Sequence, residues 1–365
     1  MDVPSWVMWV KRLKIERLRS LLQVDVSPSA SLNLIVGPNG SGKTSFLEAI
    51  YFLGVGRSFR SRSLKDVVAR GHRVLRLFGE IVTDDGATET LGVERGPGET
   101  RNRISGEEVR SASRLAKFLP TLLITPESQR LLTDGARLRR RMLDWALFHV
   151  EPTYNGLLQR YRHALRQRNS QLRQSSTVAS QRAWSRELEI CAVELHEIRD
   201  RYALEMSQPM DKLIGQLLCR DVEVRYQPGW NPQESLAERL DRSIEADIAR
   251  GYTAYGPHRA DISFTVDGTA AQHVLSRGEA KLFISAVLLA QTAYVMSRTK
   301  SIPVVLMDDL PSELDDHNRV KLLEVLGASK AQIFLTTVSL ALLDSSSWNS
   351  RKMFHVEQGI VHEMV

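Results

Sequence analysis

"GPNGSGKT", running from Gly37 to Thr44, is the stretch from which the rest of the chain can be read. It fits G-x-x-x-x-G-K-[ST], and its surroundings are those the pattern requires. "SLNLIV" (Ser31 to Val36) reads as a buried strand, and "TSFLEAIYFL" behind the loop reads as a helix ending near Gly54. Gly37, Gly40 and Gly42, with Pro38, Asn39 and Ser41 between them, let backbone N–H groups turn inward at a helix N-terminus, where the dipole favours phosphate. In such a loop Lys43 reaches the β- and γ-phosphates of a nucleotide, and the Thr44 hydroxyl ligates Mg²⁺.

A phosphate loop needs a carboxylate across from it. "PVVLMDDLPSELDDH" (Pro303 to His317) supplies one, with four apolar residues running into Asp308 and Asp309 at a strand's C-terminal edge. Asp308 is placed to hold Mg²⁺, and Asp309 to sit beside the attacking water as the catalytic carboxylate, with Lys43 opposite. Upstream, "LSRGEAKLF" (Leu275 to Phe283) puts Ser276, Gly278 and Glu279 at the opening of a helix. By itself this is either a second anion site or an ordinary serine-capped helix.

Composition narrows the class. A chain of 365 residues is too long for one ordinary core and short for three, so two lobes are expected. No stretch approaches the roughly 20 apolar residues that span a bilayer, and the N-terminus lacks the basic start of a signal peptide. Cys191 and Cys219 are the only cysteines, which fits a reduced cytoplasmic compartment and no metal cluster. Between Arg130 and Arg182 there are eleven arginines, no lysine and three acidic residues, whereas the whole chain carries only +6. The positive charge is therefore concentrated on one segment, as a nucleic-acid footprint or as a solvated face.

Along the chain, short strands and turns come first, including an antiparallel hairpin of "VLRLFGEIVT" and "TETLGVER" about Asp84–Gly86. "TLLIT" (Thr121 to Thr125) reads as a buried strand closed by Pro126. From Glu127 the pattern turns helical. Leu158, Tyr161, Leu165 and Leu172 make one apolar stripe, and Trp184, Leu188, Cys191, Leu195, Ile198 and Tyr202 another, joined by the polar loop "RQSSTVAS". This predicts a short coiled-coil-like hairpin whose first arm is about 30 Å long. Strand-like sequence returns with "DISFTV" and "AAQHVL", then a helix over 278–297, strands at "VVLM" and "AQIFLTT", and a terminal hairpin about Gln358-Gly359. The expected fold is α/β: residues 1–126 and 251–365 form a nucleotide-binding lobe with a mixed sheet and an antiparallel β part, and 127–250 form an arginine-rich helical lobe.

The order of phosphate loop, helical insertion, "LSRGE", "VVLMDD" and "SELD" resembles the ABC-type ATPases, and within them the RecF family of bacterial replication and repair proteins. The residues that carry the likeness are "GPNGSGKTSFLEAIYFLGVGRSFRS", "ITPE", "RRRMLDW", "LRQRNSQLR", "YGPHRADISF", "LSRGEAK" and "DDLPSELD", from residue 10 to the C-terminus. "GPHRAD" and "GRSFRS" are not general ABC features. Four departures stand out. Glu279 replaces a frequent Gln, and Asp309 follows the metal aspartate where most ABC ATPases have Glu, a difference usual for the RecF family. Val338 follows "IFLTT" in place of a switch histidine, leaving Thr336 and Thr337 as candidates. The first seven residues precede the family's usual start, so that Met8 is a candidate initiator.

The resemblance implies ATP and Mg²⁺ as cofactors and a slow, DNA-stimulated ATPase used as a switch. It also implies a cytoplasmic ATP-dependent homodimer in which Ser276 of one chain caps the γ-phosphate held by the other. The dimer would bind single- and double-stranded DNA near gaps and work with recombination mediator proteins in recombinase loading and SOS induction, with no membrane partner. Arg162, Arg166 and Arg173 in the helical lobe are the first candidates for DNA contact, with Arg57 and Arg60 as alternatives. The rival readings are the nucleotide-binding subunit of another assembly, such as a transporter, and an SMC-like structural protein. The latter calls for far longer coiled-coil arms.

Overall fold

The computed structural model describes residues 8–174, 178–299, 301–309, 314–339, 348 and 350–364, without the side chains of 178–181. Several sequence expectations fall outside these residues: the first seven residues and the choice of Met1 or Met8, the middle of the polar loop at 175–177, and the "LPSE" part of the acidic loop at 310–313. Two compact units are present, Met1–Ser128 with Arg277–Val365, and Gln129–Ser276. The lobe boundary drawn at residue 250 therefore moves to 276.

The first unit opens with β1 (Trp9–Leu18), β2 (Leu21–Val26), β3 (Leu32–Val36) and α1 (Lys43–Val55). The short α2 (Leu64–Val67) leads to β4 (Leu75–Val82), β5 (Thr88–Gly96), β6 (Glu99–Ile104) and β7 (Glu107–Glu108). α3 (Ala112–Phe118) and β8 (Thr121–Ile124) complete this part. β4 alternates because one face is covered, with Leu75, Leu77, Gly79 and Ile81 buried and their neighbours more exposed. It pairs antiparallel with β5, as the hairpin reading expects.

The second unit contains α4 (Arg130–Thr133), α5 (Ala136–Val150), α6 (Tyr154–Arg173), α7 (Val178–Leu218), β9 (Val222–Gln227), α8 (Leu236–Arg242) and α9 (Ile244–Arg250). It closes with β10 (Asp261–Val266), β11 (Thr269–Ala270) and α10 (Ala271–Val274). α6 and α7 pack as the expected hairpin. Leu188, Cys191, Leu195, Ile198 and Tyr202 are buried as expected, whereas Leu165 is only half buried and Arg168 takes the core position beside it. The second arm runs to 41 residues, about 60 Å, and carries Pro209 inside it. β10 pairs antiparallel with β9, which is why 251–276 belongs to this unit. The strand expected at "AAQHVL" is the helix α10, since Ala-Ala-Gln favours helix and the hairpin is spent after two residues of β11.

The chain returns to the first unit with α11 (Arg277–Thr299), β12 (Val304–Met307), α12 (Asp316–Ala328), β13 (Ile333–Thr337), β14 (Arg351–Glu357) and β15 (Ile360–Met364). The core sheet has the order β15-β14-β3-β13-β12-β8 and is parallel except at β15, while β2-β1-β4-β5-β6-β7 is antiparallel throughout. β3, β12 and β13 are buried along their whole length, as the continuous apolar runs of central parallel strands require. Gln332 ties the two sheets, accepting from Val10 N at 2.8 Å and donating to Val10 O and Ser29 O at 3.0 and 2.8 Å. Contrary to the sequence expectation that no stretch approaches a bilayer span, α11 is long and apolar enough to cross a membrane, but 72% of its apolar window is buried inside the protein, so the apolarity is that of a core helix.

Candidate nucleotide site

The phosphate loop leaves β3 at its C-terminal end and enters α1 at Lys43. α1 is seated by Phe46, whose ring lies 6.3 Å from that of Phe334 on β13 and 6.0 Å from that of Phe354 on β14. Gly37 has no room for a side chain, since a Cβ there would lie 2.1 Å from the Val356 carbonyl oxygen. Gly42 has φ of +121°, a backbone that L side chains rarely adopt. The terminal hairpin supports the loop from β14 and β15, with the Gly359 amide donating to Ser41 O at 3.0 Å.

Lys43 Nζ donates to Gly37 O at 2.8 Å and Pro38 O at 3.0 Å, which holds the ammonium over the loop. Burial pushes its pKa down, while the nearby Asp309 and Asp308 charges pull it back up. Thr44 Oγ1 lies 3.1 and 3.0 Å from the two carboxylate oxygens of Asp308 at the end of β12. Asp308 also accepts from Thr336 Oγ1 at 2.8 Å, and its own amide donates to Ile124 O at 2.9 Å. Burial raises its pKa, the Thr336 and Thr44 hydroxyls lower it, and the charges of Asp309 and Glu127 raise it again.

Asp309 stands in the left-handed region at φ +47°, with its amide donating to Thr336 Oγ1 at 2.8 Å. Thr336 therefore braces both acids, whereas Thr337 turns to Ser339 O at 3.1 Å. Of the two switch candidates, the structure brings Thr336 to the carboxylates. Glu127, just past β8, is the group that sequence reasoning missed. The only signal was its place in "ITPE" directly after a buried strand.

The donor set suits a magnesium nucleotide. Among the described residues no cluster of three or more His, Cys, Asp or Glu could hold a metal alone. One hydroxyl and one carboxylate are what a P-loop offers to an ion that also binds phosphate oxygens. Among the described residues the buried Ser41 Oγ has no hydrogen-bond partner, which leaves a polar atom in the loop suited to a bound anion.

α11 begins at Arg277, one residue after Ser276, as the sequence reading expects to within a residue. Glu279 falls in its first turn, where an acid favours the helix dipole. Ser276 and Glu279 have the S-x-x-E spacing of a capping box, a competing use for the serine.

The arginine candidates fare unevenly. Arg162 is exposed but bridges to Asp144 at 3.0 Å, and Arg173 is exposed and donates to Gly251 O at 3.2 Å. Arg166 is exposed and has no ion pair among the described residues. Among the described residues, at least six of the eleven arginines between 130 and 182 have acidic partners, through Arg130–Asp134, Arg139–Asp261, Arg160–Glu187, Arg162–Asp144, Arg168–Asp247 and Arg182–Asp241. The segment's excess of charge is thus partly spent internally. In the first unit Arg57 is exposed, and Arg60 lies 3.8 Å from the buried Glu48 carboxylate.

A P-loop on a parallel sheet, a facing acidic strand end and a helical insertion define a head of the RecF/RecN/SMC class, and the family model described as the RecF/RecN/SMC N terminal domain matches residues 9–362. The fold agrees with a solved Smc head bound to the C-winged helix domain of ScpA, at TM-score 0.61 and 15% identity over 98% of this chain and 97% of that one. Within the class the chain belongs to the RecF family. It is 40% identical to the DNA replication and repair protein RecF of Shewanella baltica (strain OS185), over 97% of this chain and 99% of that protein. A solved structure of the recombination mediator protein RecF–ATP in the RecFOR pathway superposes at TM-score 0.88, with 23% identity over 99% of this chain and 98% of that one.

Proposed function

We propose that this protein is a cytoplasmic ATP-binding clamp of recombinational DNA repair and replication. It dimerises when it holds Mg²⁺–ATP, grips single- and double-stranded DNA near gaps, and works with recombination mediator proteins in recombinase loading and SOS induction. The observation that carries this reading is the Thr44 hydroxyl 3.0 Å from the Asp308 carboxylate beside Lys43, which joins two motifs 264 residues apart into one site. Membership of the RecF family, with relatives of that name in replication and repair, supports the biology and sets aside the transporter reading.

In this mechanism Lys43 neutralises the β- and γ-phosphates, and the loop amides from Gly37 to Gly42 hold the remaining oxygens. Thr44 and Asp308 would hold Mg²⁺, which supplies further charge neutralisation. Asp309 orients or deprotonates the attacking water. Its carboxylate is one methylene shorter than Glu, and a misplacement of about 1 Å costs on the order of a hundredfold. Turnover is therefore expected below about 1 s⁻¹, rising when DNA orders the dimer. Ser276 and Gly278 of the second chain complete the site over the γ-phosphate. DNA residence time with ATP tests the reading. Asp309→Asn should abolish hydrolysis and lengthen residence, and Ser276→Arg should keep ATP binding but block the dimer. Equal residence of wild type and Asp309→Asn sinks the clamp-timer idea, and an ATP-driven dimer untouched by Ser276→Arg sinks the cap.

A further inference from the structure

Glu48 is a buried acid that the chemistry above does not use. It lies on α1 with 0% exposure, four residues after Thr44 and so one turn further along the same helix face. An ionised carboxylate in that position requires donors. Arg19 provides two, with NH2 at 2.9 Å from Oε1 and Nε on Oε2, and the Ser58 hydroxyl donates to Oε1. Arg60 approaches Oε2 at 3.8 Å.

Ser58 and Arg60 belong to the "GRSFRS" loop that follows α1. The loop is built on this anchor: Ser58 Oγ accepts the amides of Arg60 and Ser61, both at 2.9 Å, and Phe59 packs edge-on against Tyr51 of α1 at 5.4 Å. The two arginines on Glu48 differ in kind. The Arg19 side chain is 19% exposed, its fork is bidentate, and it also donates to Asp66 O at 2.7 Å. The Arg60 side chain is 43% exposed and its contact is long. A half-exposed, long ion pair contributes little, about 0–1 kcal/mol, so it exchanges readily for another anion. Loss of the Arg60 contact leaves Glu48 satisfied by Arg19 and Ser58.

We infer that Glu48 is a positioning residue that couples nucleic-acid contact at the Gly56–Ser61 loop to the nucleotide loop. This rests on the proposed function above. Backbone phosphate arriving at Arg57 and Arg60 withdraws Arg60 from Glu48. The change in charge falls one helical turn from Thr44, which holds Asp308. The coupling is reciprocal, so nucleotide at Lys43 and Thr44 alters the grip of the loop by the same factor.

ADP isolates this path, because it has no γ-phosphate for a second chain to cap. Its Kd in the presence of Mg²⁺ is measured with and without saturating duplex DNA for the full chain. Wild type should show a shift of about three- to fivefold, the most that a pair of this strength can transmit. Glu48→Gln should keep the DNA-free Kd within about threefold of wild type, about 0.7 kcal/mol, while its shift falls below about twofold. Arg60→Gln should lose the shift as well, and Arg60→Lys, which keeps the exchangeable charge, should recover it. A wild-type shift retained in Glu48→Gln overturns the coupling, as does a wild type that binds both ligands with no shift. A wild type that fails to bind ADP or duplex sinks the proposed function and this inference together.

Discussion

The phosphate loop and the arginine-rich helical segment were both conspicuous in sequence, and the structure treats them differently. At the loop, the side chains of the two motifs lie together, as neighbours fixed by the local backbone. Lys43 lies over the glycine turn, Thr44 lies beside Asp308, and the Asp309 backbone is fixed by Thr336. In the helical segment charge density overstated the free surface. Arg168 is wholly buried against Asp247, and Arg139 bridges to Asp261 from 122 residues away. A glycine motif encodes backbone geometry, which is local. An arginine encodes only a charge, and its partner is chosen by tertiary contacts.

The largest expected effect tests the buried arginine. Arg168 NH1 donates to Asp247 at 2.8 Å and to Thr253 Oγ1 at 2.7 Å, with both charged side chains fully buried. Arg168→Leu leaves Asp247 without its cation and should cost about 3–5 kcal/mol in the denaturant unfolding of the helical unit. Arg166→Leu, on the exposed face of the same helix, should stay within about 0.5 kcal/mol. Equal stabilities for the two variants would erase the distinction between core and surface arginines.

Next comes Lys43→Ala, measured by calorimetric titration of ATP into the folded protein. Charge-assisted hydrogen bonds contribute about 1.5–3 kcal/mol, so the affinity should fall by roughly 10- to 150-fold with the melting transition retained. Normal affinity in a folded variant would remove the P-loop assignment. A smaller effect is expected from Asp308→Asn. Burial raises the Asp308 pKa, so the folded state holds that proton more readily than the unfolded chain does. Its favourable contribution is complete below the unfolded pKa and is lost as pH rises through the folded one, leaving an ionised group that costs stability at neutral pH. Without nucleotide, Asp308→Asn should melt higher than wild type at pH 7, and the gain should vanish at acidic pH. The same variant should lose the Mg²⁺ dependence of ATP binding.

What could be read ahead of the structure follows the same division. β3, β12, β13 and the terminal hairpin were legible because buried runs and turn residues are local signals. α10 was misread because "AAQHVL" is too short for its period to separate helix from strand. β9 was passed over inside a helical stretch, since its pairing with β10 spans about forty residues. Glu127 and Glu48 lie inside stretches that carry the family likeness, but nothing in those stretches assigns either acid a role. Their relevance comes from being folded against Asp308 and against the arginine loop respectively.

The smallest effect bears on the arginines that remain at the surface. Each phosphate neutralised contributes about −0.9 to the log–log salt slope on duplex DNA. If Arg162, Arg166 and Arg173 all touched phosphate, changing them to Gln would flatten the slope by up to about 3 units. Their surroundings favour a smaller value. Arg173 already donates to Gly251 O. Arg162 is held by Asp144, but that acid also has Tyr154 and Arg199 as donors at 2.6 and 2.8 Å, so Arg162 can be given up to phosphate at little cost. Arg166 needs no release at all. The triple variant should therefore flatten the slope by about 1–2 units, with Arg166→Gln alone accounting for about 0.9. A triple variant with unchanged affinity and slope would move the duplex surface off this lobe and leave Arg57 and Arg60 as the contacts to test. A full loss of about 3 units would show that even the arginines already bonded within the lobe are exchanged for phosphate, and that internal partners are no guide to which surface charges DNA takes.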